Sequence, residues 1–146
     1  MTFHRPQDSI LDADTLQAYR LAEYRVLSEP SFVLRIDEPS AALATLQASH
    51  RSRSSALITA CNPRSRLLDR TGNDRNQAML AAELEECGYT FLHAEGASPD
   101  GSWPAEPSFL ALDVSLDAAR ALGRQFDQNA IVWSGPDAIP QLVLLR

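Results

Sequence analysis

Lysine is absent from the 146 residues, cysteine occurs only twice, and no apolar run approaches the length of a membrane span. Each absence excludes something. Without roughly 20 consecutive apolar residues there is no transmembrane helix to place, and Met1–Ile10 lacks the apolar centre of a secretory signal. Cys61 and Cys87 are too few for a disulfide framework and stand at no metal-like spacing. The expected setting is therefore a reducing, cytoplasmic one. No glycine-rich cradle is present and, with no lysine, no phosphate-binding Lys, so neither standard nucleotide fingerprint applies. Ser65 and Ser108 have no identifiable His–Asp partners, which leaves nucleophilic catalysis without support. Repeats, low-complexity tracts and dividing linkers are lacking too. The expected organisation is a loose tail over residues 1–7 and a single α+β domain over residues 8–146.

What is present is ordinary globular composition, 45% hydrophobic and 22% charged, with an uneven charge distribution. The net charge of −6 comes from 13 basic residues, all arginine, and 19 acidic ones, a balance that opposes a coat for long nucleic acid. Yet Arg51, Arg53, Arg64, Arg66, Arg70 and Arg75 fall in residues 51–75 with only Asp69 and Asp74 as acids. That segment is +4 and the remainder −10. Forked guanidinium donors suit phosphate and carboxylate, so a compact anion is the ligand this segment fits. A solvated arginine-rich surface accounts for the same counts.

Asp12 or Asp14 can cap a helix to about Leu21, with Leu16, Tyr19 and Ala22 on one face. Tyr24–Leu27 and Phe32–Ile36 read as strands around a turn, and Ser40 caps a helix to about His50. Ala56–Cys61 is a short, nearly continuous apolar run, as a strand buried on both faces should be, and Asn62-Pro63 stops it. An irregular segment runs to Gly72, and a helix follows from about Asn73 to Cys87 with Gly88 in the capping position. Tyr89–His93 reads as a strand, Glu95–Glu106 as a long loop and Ser108–Val114 as a strand. Ser115 caps a helix to about Phe126, and Ala130–Trp133 and Ile139–Leu145 are the last strands. The expected fold is thus a mixed sheet with a ferredoxin-like β-α-β-β-α-β centre, preceded by a helix and hairpin and followed by one strand.

Connection rules turn this order into a site. A strand–helix–strand crossover makes its strands parallel, so the Leu57 and Phe91 strands are expected to pair in parallel. With the C-terminal end of the Leu57 strand taken as the upper end, Asn62, Glu95, Glu106, Gln128 and Asn129 all arrive there. Open α/β sheets bind ligands at that end. The candidate ligand-binding residues are Asn62, Arg64, Ser65, Arg66, Asn73, Asn76, Glu106, Gln128 and Asn129, with unpaired amides of Asn73, Asp74 and Arg75 adding donors for an anion. The expected function is binding of a compact phosphate- or nucleotide-like anion, without a cofactor. Two alternatives stay open. One is an enzyme with Glu106 or Glu95 as general base and the arginine loop stabilising negative charge. The other is an interaction or homodimerisation module joined through the edge strand Ile139–Leu145.

Each candidate also has a structural role. Gln128 and Asn129 can tie a helix end to a loop, and Glu106 can pair with an arginine of the middle loop. Cys87 fits the core face of an amphipathic helix, and Trp103 can anchor its loop onto the core or cover the site. Glu95 and Glu106 alone make too few ligands for a divalent metal.

Three stretches stand out together: Ile58–Ser65 (Ile-Thr-Ala-Cys-Asn-Pro-Arg-Ser), Trp103–Phe109 with its Glu-Pro-Ser, and Phe126–Trp133 with its Phe-Asp-Gln-Asn-Ala-Ile. With Tyr19, Tyr24 and either Asn73 or Asn76, they resemble a bacterial family known only as a domain of unknown function, over roughly Leu16 to Leu145. The resemblance implies a common fold and a shared polar site, and supplies no activity. The family pattern often carries an aromatic residue where Cys61 stands, which speaks against Cys61 as a family nucleophile. It often carries glycine where Asp127 stands, which implies a tight turn at positive φ that Asp tolerates better than most residues.

Overall fold

Each helix begins where a short polar side chain can bond the free amides of its first turn. The computed structural model describes residues 11–146, and the tail expected over residues 1–7 lies outside them. Asp12 accepts from Thr15 N at 2.7 Å and starts α1 (Ala13–Leu21). Ser40 accepts from Leu43 N at 3.1 Å and starts α2 (Ala41–Ser49), and Ser115 accepts from Ala118 N at 3.1 Å and starts α4 (Leu116–Gln125). The third helix departs from expectation. It spans Arg70–Glu86 (α3), because Asp69 accepts from Gly72 N at 2.7 Å and caps it ahead of Asn73. Asn73 N then donates to Asp69 O at 3.0 Å, so Asn73, Asp74 and Arg75 lie inside the helix and their amides are not open to an anion.

α3 and α4 end alike. Gly88, at φ 80°, follows α3 with Tyr89 N bonding Leu84 O and Gly88 N bonding Glu85 O, both at 3.0 Å. Asp127, at φ 55°, follows α4 with Gln128 N bonding Gly123 O at 2.9 Å and Asp127 N bonding Arg124 O at 3.1 Å. Asp127 thus makes the tight turn at positive φ expected at this position, and the corner turns the chain toward Gln128 and Asn129. Cys87 is exposed rather than in the core, because Leu84 is the last buried residue before α3 ends.

The strands are β1 (Glu23–Val26), β2 (Phe32–Leu34), β3 (Ser55–Ile58), β4 (Phe91–Ala97), β5 (Glu106–Leu112), β6 (Ala130–Ser134) and β7 (Gln141–Leu144). They form one seven-stranded sheet in the order β2-β1-β4-β5-β3-β6-β7, in which every pairing is antiparallel. The expected mixed sheet, with the Leu57 and Phe91 strands paired in parallel, is not formed. β5 lies between β3 and β4 and runs against both, with Phe109 opposite Ile58 on one side and His93 on the other. β3 and β4 still point the same way, two places apart. The ends of β3 and β4 and the starts of β5 and β6 therefore share the upper end of the sheet.

Alternation sends neighbouring residues to opposite faces. On one face Ile58, Phe109, Ala111, Ile131 and Val143 pack under Leu80 and Leu84 of α3 and Leu116, Ala119 and Leu122 of α4. On the other, Tyr24, Val26, Leu57, Leu110 and Val132 pack with Leu43 and Leu46 of α2 and with Trp103, which anchors the loop before β5. All four residues of β3 are buried, as its apolar run requires. Among the described residues no helix is long and apolar enough to cross a membrane.

Candidate functional site

Beyond Ile58 the chain leaves the sheet, and side chains take over its pairing. Ala60 N donates to Gln77 Oε1 of α3 at 2.7 Å, and Thr59 Oγ1 donates to Pro107 O at 2.7 Å. Asn62 is the hub. Its backbone N donates to Asn73 Oδ1 at 2.8 Å, and its Oδ1 accepts from Asn73 Nδ2 and from Leu68 N, both at 2.9 Å. Its Nδ2 donates to Glu106 Oε2 at 3.1 Å. The two asparagines thus clamp the chain between β3 and α3.

A single 3-10 turn, Pro63–Ser65, follows, and it is strained. Asn62, Arg64 and Ser65 sit at φ 43°, 56° and 60°, a region that costs a non-glycine residue about 1–2 kcal/mol and that Asn tolerates best. Such geometry persists where the surroundings over-determine it. Arg64 N donates to Asp127 O at 2.8 Å and Ser65 N to Asn62 O at 2.8 Å. Ser65 Oγ shares a 2.8 Å hydrogen bond with Tyr19 Oη and accepts from Asn129 Nδ2 at 2.8 Å. Asn129 also donates to Tyr19 Oη at 3.1 Å and accepts from Arg146 Nη1 at 3.1 Å. Gln128, buried beside it, donates to Cys61 O at 3.1 Å and to Phe126 O at 3.2 Å.

Glu106 opens β5 on the face that carries Tyr24 and Leu110. Among the described residues its carboxylate receives one hydrogen bond, from neutral Asn62, and no ion pair. The arginine partner expected for it is not there. Burial pushes its pKa up, against the opposing hydrogen bond from Asn62. Burial likewise pushes the Tyr24 hydroxyl up, and Tyr24 Oη donates to Tyr19 O at 2.6 Å. The Cys61 thiol rises to about 11 by burial, which leaves it protonated and unreactive at neutral pH.

Other expected members stand apart. Glu95 lies in β4, not in a loop, opposite Pro107, and alternation sends its carboxylate to the face away from Glu106. Arg25 Nη1 holds it at 3.3 Å. Asn76 lines a shallow groove of about 380 Å³ with Met79, Glu83, Phe126 and Asp127, on the helical side of the turn. Arg64 is half-exposed, 3.7 Å from Asp127, and Arg66 is exposed. The +4 segment does not make a +4 surface. Arg51 and Arg53 precede β3 and sit at its lower end, where Arg53 N meets Asp113 Oδ1, while Arg64 and Arg66 follow it at the upper end. The site also includes Thr59 and Gln77, whose bonds to Pro107 O and Ala60 N carry no sequence signal because those partners are distant in the chain.

A carboxyl group whose pKa is raised by folding contributes stability below its unfolded pKa and loses it as pH rises through the folded value. Ionised Glu106 therefore weakens the fold at neutral pH. Glu106→Gln, which keeps an oxygen for Asn62, should be more stable than wild type at pH 7. That advantage should vanish as pH falls below the ordinary glutamate range. Urea denaturation at both pH values checks this, and a variant equally destabilised at both would refute it.

The fold and this site define an α+β protein with a half-buried carboxylate, free of cationic partners among the described residues, in a carboxamide cradle at one end of its sheet. The chain belongs to the family described as "Protein of unknown function (DUF3293)", whose model matches residues 58–131, just over half of its length. The matched span holds Asn62, Asn73, Gln77, Glu106, Gln128 and Asn129, while Tyr19, Tyr24 and Arg146 lie outside it. No curated protein and no solved structure matches the chain.

Proposed function

We propose that the chain is a binding module that takes a compact anionic ligand, phosphate- or nucleotide-like, at the upper end of the sheet beside the Pro63–Ser65 turn. The observation that carries this reading is the turn itself. Three left-handed non-glycine residues are pinned from several sides, and the pinned turn holds Arg64 and Arg66 at the surface. A rigid turn presents guanidinium groups with little backbone ordering left to lose on binding. The central strand order β4-β5-β3-β6, with α3 and α4 on one face, supports reading the middle of the fold as ferredoxin-like.

Denaturation in the presence of inorganic phosphate, a nucleoside monophosphate or acetate tests the reading. A ligand at 100 times its Kd stabilises by about 2.7 kcal/mol. That gain is expected for at least one of the three with wild type and not with the Arg64→Ala/Arg66→Ala double variant. Absence of any shift, or an equal shift in the variant, overturns it.

A second reading, an enzyme with Glu106 as general base, is favoured by a specific observation. Burial without a cation moves this carboxyl toward the neutral range in which proton transfer is efficient. Glu95 drops out of that role because Arg25 holds it.

A further inference from the structure

We propose that Glu106 is the docking point for a positively charged nitrogen, so that the ligand of this site is a compact zwitterion with its cation on Glu106 and its anion on the Arg64–Arg66 side of Asn62. The inference rests on the anion-binding reading above and extends it to the class of ligand.

The argument is one of completed partnerships. The chain has no lysine, and no arginine among the described residues bonds the Glu106 carboxylate. Arg25 pairs with Glu23 at 3.0 Å and Glu95 at 3.3 Å, Arg64 faces Asp127 at 3.7 Å, and Arg146 Nη1 donates to Asn129 Oδ1 at 3.1 Å. The hydrogens beside Glu106 are also committed. Tyr24 Oη donates to Tyr19 O at 2.6 Å, and the Cys61 thiol to Pro107 O at 3.6 Å. Only Asn62 Nδ2 reaches the carboxylate, at Oε2, so Oε1 has no donor among the described residues. A half-buried anion with one neutral donor is incomplete, and a carboxylate prefers a charged donor by roughly twice the strength of a neutral one. None of the described residues supplies one, so the complement is assigned to the ligand. Asn62 joins the two ends of the site, since its side chain holds Glu106 and its backbone leads directly into the turn that carries Arg64 and Arg66.

Titration calorimetry with O-phosphoethanolamine, monoethyl phosphate and ethanolamine separates the two ends. Wild type is expected to bind O-phosphoethanolamine about tenfold or more tighter than monoethyl phosphate, the step a charge-assisted hydrogen bond provides. In Glu106→Gln that preference should fall to about unity while the affinity for monoethyl phosphate stays within about twofold. A thermal melt of the variant confirms that it folds. Equal affinity of the two phosphates for wild type, or a preference that survives in Glu106→Gln, overturns the inference and leaves anion binding standing. Binding of ethanolamine alone, lost in the variant, overturns anion binding and with it the zwitterion, and leaves Glu106 as a cation site only. Failure of all three probes overturns both.

Discussion

Asn62→Ala is expected to destabilise the protein by at least about 3 kcal/mol, from roughly 1 kcal/mol for each of two lost protein hydrogen bonds and a further 1 kcal/mol for placing alanine in a left-handed conformation. The two bonds are those that Asn62 Oδ1 accepts from Leu68 N and Asn73 Nδ2. The third, from Asn62 Nδ2 to Glu106, adds to the loss, and its removal raises the cost of ionising Glu106. Arg64→Ala is the contrast. Its ion pair with Asp127 is exposed on both sides, so the change should stay within about 0.5 kcal/mol. Asn62→Gly divides the effect, because glycine relieves the backbone at φ 43° and should recover about 1 kcal/mol without restoring any side-chain bond. Urea denaturation of the three variants decides. A neutral Asn62→Ala with a strongly destabilised Arg64→Ala would place the structural role on the arginine.

The starts of α1, α2 and α4 were readable because they depend on neighbours in sequence. Asp12, Ser40 and Ser115 cap amides three residues on, and the apolar run at Ala56–Ile58 follows from burial on both faces. The meeting of Asn62, Glu106, Gln128 and Asn129 at one end was readable too, since strand direction follows from the connections alone. Which strands lie side by side is a matter of tertiary packing, and the insertion of β5 between β3 and β4 has no local signature. The start of α3 shows the same limit at smaller scale. Asp69 and Asn73 can both cap a helix, and the choice falls to Asp69 because the Asn73 side chain is engaged by Asn62, eleven residues away. The arginine run misled for a geometric reason. A strand of four residues rises roughly 13 Å, enough to separate Arg53 from Arg64 by more than a Debye length. Glu106 was readable as polar and well placed, but its lack of a cationic partner among the described residues depends on where their arginines turn.

Gly123→Ala should destabilise by about 2 kcal/mol, although alanine is the better helix former by roughly 1 kcal/mol. A Cβ at Gly123 would lie 2.4 Å from Leu145 Cδ1 and 2.8 Å from Ile131 Cγ2, so α4 or the two side chains beneath it must move. The leucine end can swing, whereas the branched isoleucine in β6 is stiff at its first torsion. The displacement does not stop at the core. Gly123 O accepts from Gln128 N at 2.9 Å, and Gln128 and Asn129 in turn hold Cys61 O and Ser65 Oγ, so a shift of α4 reaches the strained turn. A double-mutant cycle with Leu145→Ala isolates the contact. If the crowding sets the position of α4, the double variant should lose less than the sum of the single losses by about 1 kcal/mol or more. Additive losses would show that α4 accommodates the extra carbon without Leu145, and that the glycine does not set where Gln128 and Asn129 stand.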